Sequence, residues 1–213
     1  MKQVEAAVIG TGWCGGIRAE TLSRSALVDK LHICEIRPDR LAEVKALTRP
    51  ATATLDYQDI VKNDNISVVY ISTPPESNHY PIARDCLRAG KHVLLEKPIS
   101  LELWEADELI ALAKRNGVKF TIGYSQRFNT KIAFAKKKIE DGTLGKVVIA
   151  QIDYSRNYKD DYWLKPVDPD LKPGVNFNWE LFLGSAPKRP FDAERYFNWI
   201  RYFDYSGGVP AGL

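Results

Sequence analysis

Cysteine and histidine are scarce in this chain, at three residues each. Cys14, Cys34 and Cys86 are odd in number and form no CxxC pair, so the sequence encodes neither a disulfide framework nor a cysteine zinc site. The three histidines show no metal-ligand spacing, and the chain reads as reduced and metal-free. No apolar run approaches the ~18 residues a membrane helix needs. The first apolar strand follows Met1 within a few residues, which leaves no room for a signal peptide, so a cytoplasmic protein with no membrane partner is expected. A dominant charge of one sign is also missing: the formal net charge is +3. The short basic runs KKK (136–138) and KRNGVK (114–119) read as solvated helix faces, so no nucleic-acid partner is expected.

What is present is an ordinary globular composition, 45% hydrophobic and 27% charged over 213 residues. That suffices for one large domain, or for one domain plus part of a second. Through residue 123 the pattern alternates. Strands are predicted at Val4–Ile9, Leu31–Glu35, near Ala51–Thr54, at 67–73 (SVVYIST), at HVLLE (92–96) and at VKFTIGY (118–124). Helices are predicted at Gly15–Ser25, Pro38–Leu47, Tyr57–Lys62, Ser77–Ala89 and Leu101–Asn116, the last with Ser100 as N-cap. Most of these strands are continuously apolar. Strands of that kind, alternating with helices, predict an α/β fold, a doubly wound parallel sheet covered on both faces.

After Gly123 the character changes. One more amphipathic helix is predicted at 129–140 and a strand at 146–155 (KVVIAQIDYS). From Arg156 onward the chain is aromatic and rich in Pro and Asp, a long irregular stretch. The expected organisation is one doubly wound α/β domain at 1–123, followed by a second α+β domain at 124–213.

The chemistry concentrates in GTGWCG, the run Gly10, Thr11, Gly12, Trp13, Cys14 and Gly15. It follows a strand and opens a helix, and Glu35 lies 20 residues after Gly15 at the end of the second strand. Gly10 permits the tight turn, Gly12 lets a pyrophosphate approach the backbone, and Gly15 lets the helix pack on the sheet. The helix N-terminus offers unpaired N–H groups to the phosphates. Glu35 accepts the adenosine ribose hydroxyls and repels a 2′-phosphate, which favours NAD. Arg37, two residues on, could receive that phosphate, so NADP stays open.

Four stretches in this order resemble the family of glucose–fructose oxidoreductase and inositol dehydrogenase, the Gfo/Idh/MocA oxidoreductases. They are AAVIGTG with Glu35, ISTPPESNH, AGKHVLLEKPIS, and GYSQRFN followed by a helix and DGTLGKVV. The resemblance covers residues 1 to about 150, and the stretch NWELFLGSAPKRPF to YFDYSGG matches part of that family more loosely. It implies an NAD(P)-dependent oxidoreductase that transfers hydride between nicotinamide and a sugar, polyol or similar hydroxyl compound, with a dinucleotide-binding Rossmann domain at 1–123 and a partial, incomplete α+β domain at 124–213 for substrate and oligomerisation. Lys97 of Glu96-Lys97-Pro98 would be the catalytic and substrate-contacting lysine, with a cis bond to Pro98. Glu96 would face the nicotinamide side, and Ser72, Thr73 and Pro74 would line the nicotinamide ribose. His79 reads either as a group at the cofactor site or as an ordinary first-turn helix residue. Arg127 reads either as a substrate contact or as a surface arginine.

The family pattern Gly-Gly-x-x-x-Asp-x-x-x-His is met here only in Gly207–Gly208, which VPAGL follows. The Asp position falls at Gly212. This departure implies a C-terminally truncated member, and leaves a non-catalytic dinucleotide-binding protein as the alternative. If another residue moves the proton, His79, Tyr124 and Tyr154 are the candidates. An open sheet short of strands would leave the aromatics at 196–205 with few partners, so self-association, or a homo-oligomer through the second domain, is expected.

Overall fold

The computed structural model describes residues 3–151, 153 and 165–208. By contact density the chain divides into two compact units, residues 1–123 with 165–213, and residues 124–164.

The larger unit is built on a six-stranded parallel sheet: β1 (Val4–Ile9), β2 (Val28–Cys34), β3 (Thr52–Thr54), β4 (Ile66–Ile71), β5 (His92–Leu95) and β6 (Phe120–Ile122), in the order β3-β2-β1-β4-β5-β6. Chain order reverses between β1 and β4, which makes the crevice beyond their carboxyl ends the binding position of such a sheet. Five helices connect the strands: α1 (Trp13–Ser23), α2 (Pro38–Thr48), α3 (Tyr57–Lys62), α4 (His79–Arg88) and α5 (Leu103–Arg115). Two apolar clusters sandwich the sheet. One gathers Ile9, Val69, Ile71, Leu87, Val93, Leu95 and Leu109, and the other Val8, Ala19, Leu31, Ile33 and Val44. Alternate β1 residues thus enter opposite clusters, which is why the strands carry no polar face.

The register aligns the strand ends. Ile9 pairs with Cys34 and with Ile71, Ile71 with Leu95, and Leu95 with Ile122. The next residues step out together: Gly10 N–H donates to Cys34 O, Ser72 to Ile9 O, Glu96 to Ile71 O and Gly123 to Leu95 O, at 2.8–2.9 Å. One shared rim therefore presents the glycine loop, the Ser72–Pro75 segment and the Glu96–Lys97 pair.

Three expectations are corrected. Ser100 does not cap α5. Its hydroxyl donates to Glu102 O (2.8 Å), and Glu102 and Glu105 form a reciprocal capping box two residues later. The strand expected at 146–155 is absent from its described residues. Val147, Val148 and Ile149 are exposed there and have no partner strand, and a strand without ladder hydrogen bonds is not stable alone. The aromatics at 196–205 do find partners. With α7 (Trp179–Leu183) and α8 (Ala193–Phe197), the 165–208 segment folds its own core around fully buried Phe182, Leu183 and Tyr205. Trp179 stacks on Phe182 at 5.2 Å, and Tyr196 meets Phe177 at 4.3 Å. Ile36 packs against this cluster, so the segment belongs with the sheet.

The smaller unit contains a 3-10 turn (Ser125–Phe128) and α6 (Thr130–Glu140), capped by Asn129 accepting from Lys131 N. Among the described residues no helix is long and apolar enough to cross a membrane.

Candidate active site

The glycine loop is shaped by what its residues lack. Gly10 has φ +81°, and a Cβ there would lie 2.4 Å from the Ser72 carbonyl oxygen. A Cβ on Gly15 would lie 1.8 Å from Gly10 O. These two glycines let the loop close on the Ser72–Thr73 backbone and let α1 start under it. Gly12 differs. A Cβ there would meet nothing within 4 Å, so its missing side chain serves open space rather than packing. Gly12 is also the N-cap of α1, and it supplies no side-chain cap to the first-turn N–H groups. Trp13 is exposed at the loop mouth, while Cys14 is half-buried and Thr11 buried.

Glu35 leaves the end of β2 with its carboxylate folded toward the loop. Oε2 accepts from Thr11 N (2.8 Å) and Thr11 Oγ1 (3.2 Å), and Oε1 accepts from Arg37 N (3.1 Å). A carboxylate offers about four acceptor positions, so three bonds leave one for a ribose hydroxyl. Arg37 turns its guanidinium onto Asp39. Arg40, which the sequence reading missed, reaches back across the loop, Nε donating to Thr11 O (2.8 Å) and Nη2 to Gly12 O (3.3 Å). Only its place in α2, one turn beyond Arg37, could have pointed to it.

Beyond β4 the Pro74–Pro75 bond is cis, as is Lys97–Pro98 beyond β5. Ser72 lies under Gly10, and the Thr73 hydroxyl is buried with no hydrogen-bond partner at the same rim. Glu96 Oε1 accepts from the Tyr70 hydroxyl (2.6 Å), and Oε2 from Lys97 N (3.2 Å). Burial first, and then Glu96, pushes the Tyr70 phenol well above its usual range, so it stays a donor. Gly123 leaves room for this carboxylate: a Cβ there would lie 3.1 Å from Glu96 Oε1. Lys97 is half-buried at the carboxyl end of β5.

His79 is almost completely buried, with Nδ1 2.7 Å from Pro98 O. A carbonyl only accepts, so Nδ1 carries the proton. Burial lowers the pKa of this histidine, against the pull of the Pro98 and Thr73 backbone, and the ring is neutral. It fixes the turn that follows Lys97.

A second missed residue is Glu76, whose buried carboxylate accepts from Ser206 Oγ (2.9 Å) and Gly207 N (3.1 Å). Ser77 N donates to Tyr205 O and Asn78 Nδ2 to Phe182 O. The diglycine is thereby anchored beside the Ser72–Pro75 segment, a contact spanning some 130 residues that no local pattern encodes. Burial raises the Glu76 pKa, against lowering contributions from Ser206, Gly207 and Lys97. Arg127 stands exposed on the Ser125–Phe128 turn, and Tyr124 precedes it, both in the smaller unit. Tyr154 and Gly212 lie outside the described residues.

Open space at Gly12, an uncapped helix start, a spare acceptor on Glu35 and an unpartnered Thr73 hydroxyl on one rim fit a dinucleotide. Residues 4–124 match the family described as "Oxidoreductase family, NAD-binding Rossmann fold". The chain belongs to the Gfo/Idh/MocA oxidoreductase family. It is 32% identical over 145 residues to myo-inositol 2-dehydrogenase of Thermotoga maritima, covering 68% of this chain and 43% of that one. It is 28% identical over 189 residues to the NADP+-dependent scyllo-inositol 2-dehydrogenase of Bacillus subtilis, covering 89% of this chain and 48% of that one. Among solved structures it resembles scyllo-inositol dehydrogenase of Lactobacillus casei with bound NAD(H) and scyllo-inositol, with a TM-score of 0.63 and 25% identity over 68% of this chain and 43% of that one. The chain spans less than half the length of these relatives.

Proposed function

We propose that this protein binds NAD(H) along the β1–β4 crevice and exchanges hydride between nicotinamide and a sugar, polyol or similar hydroxyl compound. The observation that carries the reading is the shared rim. Gly10, Ser72 and Glu96 each follow a strand in hydrogen-bonded step, which sets the glycine loop and Lys97 along one edge. Bound nicotinamide would supply or take the hydride. Gly12 and the α1 N-terminus would hold the pyrophosphate, and Glu35 the adenosine ribose. Trp13, Cys14 and Thr11 shape that loop, while Ser72, Thr73 and Pro74 would line the second ribose, with Glu96 behind them. A carbonyl taking hydride gains negative charge on its oxygen, and the Lys97 ammonium, brought to about 3 Å, would stabilise that charge and exchange the proton. His79 would act through Pro98, by holding the turn that aims Lys97.

Similarity to inositol dehydrogenases supports a polyol as the substrate class. Reduced, buried Cys34 and Cys86 support a cytoplasmic setting. Self-association through the smaller unit is part of the proposal, supported by exposed Phe128, Ile132, Phe134 and Val148.

The test is a fluorescence titration with NADH, followed by a panel of polyols and sugars read at the nicotinamide absorbance band. Saturable binding and turnover that falls by about 10²–10⁴ in Lys97→Ala are expected. Binding without turnover on the whole panel, unchanged in Lys97→Ala, would mark a dinucleotide-binding protein without catalysis.

A further inference from the structure

A 2′-phosphate on the adenosine ribose is recognised by a guanidinium, whose planar fork matches phosphate oxygens. Two arginines lie near Glu35, and both are engaged. Arg40 donates to Thr11 O and Gly12 O on the glycine loop, and pairs with Glu43 at 2.6 Å. Arg37 makes a two-pronged contact with one carboxylate, Nε donating to Asp39 Oδ1 (3.1 Å) and Nη2 to Asp39 Oδ2. That is the geometry a phosphate would use, already filled by a residue in the first turn of α2. The backbone of Arg37 is fixed as well, its N–H donating to Glu35 Oε1 at 3.1 Å. Half-buried Tyr196 of the 165–208 segment also hydrogen-bonds the Arg37 guanidinium.

We infer that Asp39 is a specificity-determining residue: by closing the Arg37 fork it withholds a guanidinium two residues beyond Glu35 from a 2′-phosphate, and so selects NAD(H) over NADP(H). The inference rests on the dinucleotide reading of the loop. It assigns the discrimination to two groups. Glu35 acts by its charge, and Asp39 acts through Arg37. The Asp39 carboxyl sits below its ordinary range, first because Arg37 donates to it, so it is ionised at neutral pH. Asp39 is largely exposed, and its replacement leaves no buried group unpaired.

The experiment measures dissociation constants for NADH and NADPH by fluorescence titration in the unaltered chain, in Asp39→Asn, in Asp39→Ser and in Asp39→Asn combined with Arg37→Ala. The Ser variant keeps a residue favoured near helix starts, so one poorly folding substitution does not decide the matter. Expected is NADH binding in the unaltered chain. Both single variants then tighten NADPH about tenfold relative to NADH, on the scale of one charge-assisted hydrogen bond. The double variant loses that gain. An unchanged ratio in both single variants, with NADH still bound, overturns the inference and leaves the dinucleotide reading standing. A gain that survives Arg37→Ala also overturns it, since removal of charge alone would then explain the effect. Failure of the unaltered chain to bind either dinucleotide removes both readings together.

Discussion

His79 is a residue whose chemistry follows from its surroundings more than from its type. Histidine at the start of a helix reads more readily as an ordinary first-turn residue than as a catalytic group. Here the ring is buried, neutral, and tied to the Pro98 carbonyl. Its pKa lies below the ordinary 6.5 because burial disfavours the charged form. In the unfolded chain it takes a proton near 6.5, and in the folded chain only at a lower pH. As pH falls below about 6.5 the unfolded state therefore binds more protons, and stability drops by at most about 1.4 kcal/mol per pH unit. Glu76 has the opposite sign, since its raised pKa makes the folded state the better proton binder as pH falls. The comparison is thus with His79→Gln, whose urea midpoint between about pH 7.5 and 5.5 is expected to lack this loss. Parallel curves for the two proteins would mean that His79 is not buried neutral.

Residue types alone made much of the site legible. Gly10, Glu35 and Glu96 fall on the rim because each follows an apolar strand, and Gly12, Gly15 and Lys97 come within a few residues of them. Arg40, Tyr70 and Glu76 were not legible. An arginine inside α2 is marked only by its place one turn beyond Arg37, and a tyrosine inside β4 and a glutamate after a diproline carry no local mark. Their roles come from neighbours 26 to 131 residues away.

At the scale of elements, the periodic segments were legible and the aperiodic ones were not. The first twelve strands and helices follow hydrophobic patterns, and their boundaries moved by only a few residues. VVIAQ looks like a strand by composition, but strand formation depends on a partner, and none pairs with its described residues. In the 165–208 segment the aromatics occur at no fixed spacing, so neither helix nor strand was visible there. Its two short helices are held by ring packing around Phe182, which is 1% exposed. Phe182→Ala should lower the unfolding free energy by about 3–5 kcal/mol, the usual range for a buried phenylalanine. Denaturant unfolding checks this, and a loss under about 1 kcal/mol would mean the segment has no core of its own.

At the scale of the whole molecule, two consequences follow. The proposed association between copies rests on the large exposed apolar residues of the smaller unit, Phe128, Ile132, Phe134, Ile139 and Val148 among them. Sedimentation is expected to give a concentration-dependent mass, reduced when Ile132 and Phe134 are both changed to polar residues. A constant monomer mass at every concentration would contradict it. The second consequence concerns the purpose of the fold. The sheet, its register and the crevice beyond β1 and β4 make sense together if a dinucleotide lies across the glycine loop. Gly12 isolates that claim, because a methyl group there touches nothing in the protein but stands where a pyrophosphate would approach. The decisive measurement is an NADH titration of the unaltered chain and of Gly12→Ala, with thermal unfolding of both. Expected are melting temperatures within about 2–4 °C of each other, a stability change under about 1 kcal/mol, and NADH binding weakened about tenfold or more in Gly12→Ala, about 1.4 kcal/mol or more. Equal NADH affinity in two equally stable proteins, or no NADH binding by the unaltered chain, would contradict that claim.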